Sequence, residues 1–287
     1  MAPSRVCCAV MIDLHTHSSA SDGEVGPAEL IDLAVSQGLQ ALALTDHDTL
    51  SGLEEARKRA EQTGIRLIPG VETEVRFQPG EFHLLGLGLK NYADGALADF
   101  LREIRRRRDE RNAEMLHLMR ADGLPISAEE LNKLAEGEVL GRMHFARWLI
   151  DHHHAANVPV AFERWLGPGR PYHVPKNRPE IDEAVDAIHA AGGKAILAHP
   201  LSLWISWGRL DTYLPEWKER GLDGVESRHS GASRREAARL DDLATRHGLL
   251  ISGGSDYHGA GRPDRRLGYG AAGVPVDDDL QTPFVDG

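Results

Sequence analysis

The sequence has little cysteine: of 287 residues only Cys7 and Cys8 carry a thiol, and they are adjacent. Neighbouring cysteines make neither an ordinary disulfide framework nor a zinc-finger spacing. A reducing, cytoplasmic location is therefore expected. Long apolar runs are missing too. The longest, such as ALAL before Thr45 and HLLGLGL from His83, are far too short to cross a bilayer, so no transmembrane helix is expected. The N-terminal MAPSRVCCAV lacks the apolar segment and cleavage site of a secretory signal and reads as a lead-in to the first strand. Positive charge is in deficit, with 33 Lys and Arg against 44 Asp and Glu and a formal net charge of −11. That balance argues against a broad basic surface for duplex DNA, although bound metal ions can add positive charge that a residue count omits.

What is present is a composition of 41% hydrophobic and 27% charged residues, enough for a sizeable core. Short β-prone runs at 10–14, 41–45, 66–71, 82–89, 194–198, 223–227 and 249–253 alternate with amphipathic stretches at 27–37, 50–63, 180–191 and 232–247. This rhythm predicts an α/β fold with a parallel sheet or barrel. From about 93 to 175 the rhythm changes to helices in succession: ADFLREIRRRRDERNAEMLHLMRADG, SAEELNKLAEG, RMHFARWLIDHHH and VPVAFERWLG. The Gly- and Pro-rich GPGRPYHVPKNRP then leads back to the βα pattern. We expect a discontinuous barrel from 10–97 and 177–287, with a helical insertion domain at 98–176. The acidic tail VPVDDDLQTPFVDG reads as loosely ordered.

The ends of the strands carry the chemistry. In MIDLHTHSSASDG, His15 and His17 are two apart, which places both imidazoles on one face of a strand, and Asp22 follows. TDHD brings Asp46 and His47, PGVETEV brings Glu72, EFHLLGLGL carries His83 near its start, AHP brings His199, and GGSDYHG brings Asp256 and His258. Active sites of parallel α/β folds gather at the carboxyl ends of their strands. All of these residues but His83 fall there directly. His83 reaches the same rim only if its strand runs opposite to its neighbour or follows a long loop. A single such His is more often structural, but six His, two Asp and one Glu at strand ends form a set. Nine ligands suit two or three divalent ions, and mixed imidazole and carboxylate donors fit Mn, Fe or Zn better than Ca or Mg. Glu72 is the candidate bridge.

The motifs HTHSSASDG, LTDHDT, PGVETE, His83, AHP and GSDYH resemble, in order, those of the PHP domain, named for polymerases and histidinol phosphatase. The resemblance spans about 11–97 and 177–270. It implies a distorted (β/α)7 TIM-like barrel with a di- or trinuclear site that hydrolyses phosphate esters. Carried over, the first site would be His15, His17, Glu72 and Asp256, the second Glu72, His83 and His199, and the third Asp22, His47 and His258. The expected nucleophile is a metal-bridging hydroxide rather than a side chain, with manganese the most expected metal. Asp46 would orient His47 from behind.

The insertion, with LGRMHFARWLID and PGRPYHVP, resembles the subgroup of 3′,5′-nucleoside bisphosphate phosphatases that includes 5′→3′ exoribonucleases of the ribonuclease AM type. The implied substrates are nucleoside 3′,5′-bisphosphates and short 5′-phosphorylated single-stranded RNA, with no membrane partner; the oligomeric state stays open. Arg142, His144 and Arg170 are candidates for the 5′ phosphate, since arginine offers a planar fork for phosphate oxygens. His229 in VESRHSG is a further candidate substrate contact. RRRR at 105–108 reads as a solvated helix face, and HHH at 152–154 as a helix end. Alternatives are a histidinol-phosphatase-like phosphomonoesterase and a non-catalytic metal-binding module.

Overall fold

The computed structural model describes residues 11–135 and 139–285. Cys7, Cys8 and the expected lead-in to the first strand lie outside them. By compactness the chain divides into one unit built from the residues up to Phe100 and from Pro179 onward, and a second unit spanning Leu101–Arg178.

The first unit carries the strands β1 (Met11–Thr16), β2 (Leu39–Leu44), β3 (Arg66–Val75), β4 (Phe82–Leu87), β5 (Lys194–Leu197), β6 (Gly224–His229), β7 (Leu250–Gly254) and the short β8 (Val276–Asp277). They form one sheet in the order β7-β6-β5-β4-β3-β2-β1-β8. β1 to β3 run parallel, as do β5 to β7, while β4 is antiparallel to both β3 and β5. The sheet nearly closes on itself. Beyond β7, Asp256 N donates to His15 O and His17 N donates to Tyr257 O, each at 2.9 Å, joining the last parallel strand to the first. The result is the distorted TIM-like α/β barrel that the resemblance implies; the βα rhythm alone left a parallel sheet or a barrel open. The antiparallel β8, with Ile12 opposite Val276, completes the other end of β1.

The helices in chain order are α1 (Pro27–Ser36), α2 (Leu53–Thr63), α3 (Ala96–Ala121), α4 (Ala128–Ala135), α5 (Arg142–Asp151), α6 (Val158–Ala161), α7 (Ile181–Ala190), α8 (Trp207–Glu219), α9 (Arg234–Arg246) and α10 (Thr282–Val285). Local signals explain most of them. α1 opens on Pro27, α2 stops at Gly64 in a left-handed conformation (φ 80°), and Ser233 caps α9 with Glu236 returning the bond. Helix α8 escaped the sequence pattern because Gly208 and Pro215 read as breakers. It forms because Ser206 caps its start and Leu210, Leu214 and Trp217 bury one face. No described helix is long and apolar enough to cross a membrane.

Inside the barrel, Ile12, Leu14, Ala41, Ala43, Ile68, Leu85, Leu87, Ile196 and Ala198 make one apolar cluster with Val276 and Phe284. As far as Val285 the tail is therefore not loose: Phe284 is buried, and Leu280 and Val285 pack against the same cluster. The acidic run in this tail is short, and the apolar residues around it decide its fate. In the second unit α3 and α5 contribute Met115, Met119, Phe145, Trp148 and Leu149 to a separate core, and the fourth expected helix is a single turn, α6, followed by a π turn over Phe162–Leu166. Arg106 pairs with Glu103 and Glu110, and Arg107 with Glu103, on a solvated helix face. His152 ends α5 and stacks on Trp148 with centroids 4.0 Å apart.

Barrel closure depends on one buried acid. Asp13, fully buried on β1, accepts four bonds: Oδ1 from His15 N (3.2 Å) and Ser255 N (2.9 Å), Oδ2 from Ser255 Oγ (2.5 Å) and Gly268 N (2.7 Å). Burial alone raises its pKa, and these donors oppose that. Asp13→Ala strands four buried donors and is expected to lower unfolding free energy by about 3 kcal/mol, read from urea denaturation. An unchanged midpoint would contradict this role for Asp13.

Candidate metal centre

Two bulges aim the ligands. Along β1, Ile12 and Leu14 belong to the interior cluster, and simple alternation would turn His15 and His17 outward. The register with β2 slips between Asp13 and Thr16, and this irregularity returns both imidazoles to the interior. The β6–β7 register slips likewise between Glu226 and Arg228, and His229 beyond it is buried beside His15 and His199. On β3 and β4 no slip is needed: Ile68 and Glu72, like Leu87 and His83, are an even number of residues apart on one face. The antiparallel direction of β4 brings its first residues, His83 among them, to the rim where β3 carries Glu72. β3 also runs four residues past its expected end, so Glu72 lies within the strand.

The rim gathers around Glu72, which is 1% exposed. Its Oε1 has His83 Nδ1 at 2.8 Å and His199 Nε2 at 3.0 Å; its Oε2 has His15 Nε2 at 3.3 Å, His17 Nε2 at 3.2 Å and His47 Nδ1 at 3.2 Å. Asp256 Oδ1 faces His15 Nε2 at 3.5 Å, His17 Nε2 at 3.3 Å and His258 Nδ1 at 3.4 Å. Asp22 meets His258 Nε2 at 3.4 Å, His17 Nδ1 at 3.8 Å and His47 Nε2 at 3.9 Å. Three groups of donors each lie close enough to hold one ion: His15, His17, Glu72 and Asp256; His47, Glu72 and His83; and His17, Asp22, His47 and His258. His199 touches Glu72 without joining a group.

The donor set suits a divalent transition metal. In the first group the His15 and His17 Nε2 atoms are 3.1 Å apart, and both face the same two carboxylate oxygens. Ligands at about 2.1 Å from one ion stand roughly 3.0 to 3.4 Å apart in octahedral or tetrahedral shells, which matches this spacing. His17 Nδ1 is buried without a hydrogen-bond partner, an arrangement that a cation would satisfy. Two candidate ligands, His199 (φ 27°) and Asp256 (φ 55°), sit on left-handed backbone, a cost of order 1–3 kcal/mol each that ligand-binding sites commonly carry.

The electrostatics reflect crowding. Burial opposes charge on His15, but Glu226 and Glu72 override it and push the imidazole up to about 10. Burial pulls His47 down to about 4. Burial would raise Glu72, yet the facing His47, His15 and His83 hold it well below the usual carboxylate range. Asp22 is likewise held low against its burial by His258 and His47.

Other expected residues fall elsewhere. Asp46 does not orient His47: its carboxylate accepts from Ser18 N (2.8 Å), Ser18 Oγ (2.7 Å) and Ser21 Oγ (2.7 Å), and so fixes the loop between His17 and Asp22. His229 lines the same cavity as the ligands and approaches Asp256 Oδ2 at 3.3 Å. Arg142, His144 and Arg170 lie in the second unit. There the Arg142 guanidinium lies over the Phe162 ring at 5.5 Å, His144 Nδ1 accepts Gly141 N at 3.0 Å at the start of α5, and Arg170 is exposed.

Sequence reasoning missed Glu226 and Arg265. Glu226, fully buried on β6, takes His15 Nδ1 at 3.0 Å on Oε1 and accepts His199 N at 2.7 Å on Oε2. Its signal was a lone carboxylate within an otherwise strand-like VESRH. Arg265 lies in a loop without periodicity and bonds Asp256 Oδ2.

The PHP domain family matches residues 13–191. The chain belongs to the PHP family. It is 36% identical over 246 residues to a 5′-3′ exoribonuclease of Haemophilus influenzae, covering 86% of this chain and 89% of that protein. It is 35% identical over 259 residues to a 3′,5′-nucleoside bisphosphate phosphatase of Chromobacterium violaceum, covering 90% of each. Among solved structures it is similar to an amidohydrolase from Chromobacterium violaceum with bound sulfate and no metal, at 33% identity and a TM-score of 0.77, over 95% of this chain and 96% of that one.

With an ion bound, Glu226 accepting Nδ1–H of His15 would leave Nε2 as the lone-pair donor to that ion. Glu226→Gln is expected to weaken binding of the tightest divalent ion about 10- to 100-fold in titration calorimetry. Wild-type affinity in that variant would remove Glu226 from this role.

Proposed function

We propose that this PHP-family chain is a metal-dependent phosphoesterase that removes the 3′ phosphate of nucleoside 3′,5′-bisphosphates and also acts 5′→3′ on short 5′-phosphorylated RNA. The observation that carries the reading is the convergence of six His, two Asp and Glu72 on one cavity rim, together with the relatives' names. A cavity of about 330 Å³ opens on seven of these residues, large enough for a phosphate and part of a nucleoside, while His15 and His17 are fully buried against Glu72 and Asp256. We assign His15, His17, Asp22, His47, Glu72, His83, His199, Asp256 and His258 as ligands of two or three ions, manganese first. Bound there, the ions supply Lewis acidity that activates water and neutralises phosphoryl charge.

The chain's own residues orient and exclude. Glu72 and Asp256 hold their imidazoles in place, and Glu226 fixes the ring of His15 from behind. Among the described cavity-lining residues Ser202 carries the one hydroxyl. That hydroxyl donates to Glu81 O and contacts His199 Nδ1, each at 2.9 Å. With Ser202 engaged this way, water rather than a side chain is the nucleophile in this reading. Arg142, His144 and Arg170 are retained as proposed contacts for the 5′ phosphate on residue chemistry. A cytoplasmic location completes the proposal.

Purified protein with Mn²⁺ is expected to release phosphate from adenosine 3′,5′-bisphosphate and to stop on chelation. Absence of turnover after Mn²⁺, Fe²⁺ or Zn²⁺ restoration would refute the phosphatase. A parallel screen of 5′-phosphorylated short RNA and histidinol phosphate separates the alternatives. Asp256→Asn is expected to lower kcat at least about 100-fold while leaving thermal unfolding of the metal-free protein near wild type, the size of effect typical for loss of a preorganised charge at a reaction centre. Arg142→Ala should raise KM for bisphosphates about 10-fold or more over that for substrates without a 5′ phosphate, consistent with one charge-assisted contact. Equal loss for both substrate types would move the 5′ anchor elsewhere.

A further inference from the structure

We propose that Arg265 binds the phosphoryl group undergoing hydrolysis, using the donors of its guanidinium that Asp256 leaves unengaged. The inference rests on the phosphoesterase reading above and names a substrate contact within it.

Arg265 lies in the loop after β7 and lines the same cavity as Glu72, His199 and Asp256, with its side chain 22% exposed. Its Nη1 bonds Asp256 Oδ2 and reaches Asp256 O at 3.3 Å. Among the described residues no other group hydrogen-bonds its Nε or Nη2. A guanidinium presents five N–H donors in a rigid fork, so most of this one remains available.

The position matters because Asp256 divides its carboxylate. Oδ1 faces His15, His17 and His258 in the ligand cluster, whereas Oδ2 faces Arg265 and His229. Arg265 therefore stands one carboxylate away from the atoms that would hold the ions. The cavity wall is otherwise acidic, with Asp22, Glu72, Glu81, Glu226 and Asp256 on it, and among the described residues its fixed cations are Arg262 and Arg265 alone. Arg262 is exposed, while Arg265 is partly desolvated, where a charge-assisted bond to a phosphate oxygen is stronger. A phosphoryl group placed at the ligand cluster meets the free edge of this fork.

The competing role is a clamp that only orients Asp256. A lysine can replace such a clamp, since an ammonium also pairs with Oδ2, but it cannot offer the second nitrogen in the plane of the fork. The test compares the full-length wild type, Arg265→Lys and Arg265→Gln, each titrated with Mn²⁺ and then with inorganic phosphate, and each assayed with adenosine 3′,5′-bisphosphate. In the lysine variant, Mn²⁺ affinity is expected to stay within about 3-fold of wild type. Phosphate affinity should fall about 10-fold or more and kcat/KM about 100-fold, the scale of losing a donor to developing charge. Lysine restoring both phosphate affinity and turnover would overturn the proposal, as would Mn²⁺ loss in step with activity in both variants or a wild type that binds no phosphate. Should the wild type bind phosphate without turning over any bisphosphate, the phosphatase reading fails. The phosphate titration of the two variants then still decides Arg265.

Discussion

Glu72 is the interaction on which the rest of the site depends. A carboxylate at 1% exposure is stable in its charged form only when partners surround it, and here five imidazoles do so within 3.3 Å. Those imidazoles arrive from β1, the exit of β2, the start of β4 and the exit of β5. The barrel is thus the device that brings four distant stretches of chain to one buried charge. Backbone bonds secure the same junction, since Asp48 N donates to Glu72 O at 2.9 Å.

Two more buried acids hold the frame in place. Asp13 stitches β1 to the segments after β7, and Glu226 grips both the ring of His15 and the backbone of His199. Neither lies in the ligand groups, yet each fixes residues that do. An apolar cluster fills the barrel interior, and the polar rim lies beyond it, as from Ile68 to Glu72 on β3 and from Leu85 to His83 on β4. The dry layer below excludes water from one side of the ligands, while the cavity admits substrate from the other.

The PHP family places this chain among metal-dependent chemistry, and the geometry explains why so many ligands are needed. A phosphate ester bears charge on attacking, leaving and non-bridging oxygens, and several ions can neutralise these together. Imidazoles packed with ring centroids as close as 4.2 Å, as in His17 and His258, repel one another when protonated. Metal binding requires each ligating imidazole as a neutral lone-pair donor.

The sequence determined a great deal. The alternation of β-prone runs and amphipathic helices pointed to a parallel α/β sheet or barrel, and the resemblance chose the barrel; His15, His17, Asp22, His47, Glu72, His199, Asp256 and His258 follow strands closely enough that their common rim was legible. Near residue 100 helical periodicity replaces strand runs in the sequence. Tertiary structure decided the rest. Only pairing shows β4 reversed, which brings His83 to the rim, and only the two register slips turn His15, His17 and His229 inward. Asp46 serving the Ser18–Ser21 loop, Glu226 and Arg265 joining the site, and Phe284 closing the barrel interior all depend on contacts between residues far apart in the chain or on loop geometry. The physical reason is that periodicity records which side of one element a residue faces, whereas partner, register and loop path are set by packing against other elements.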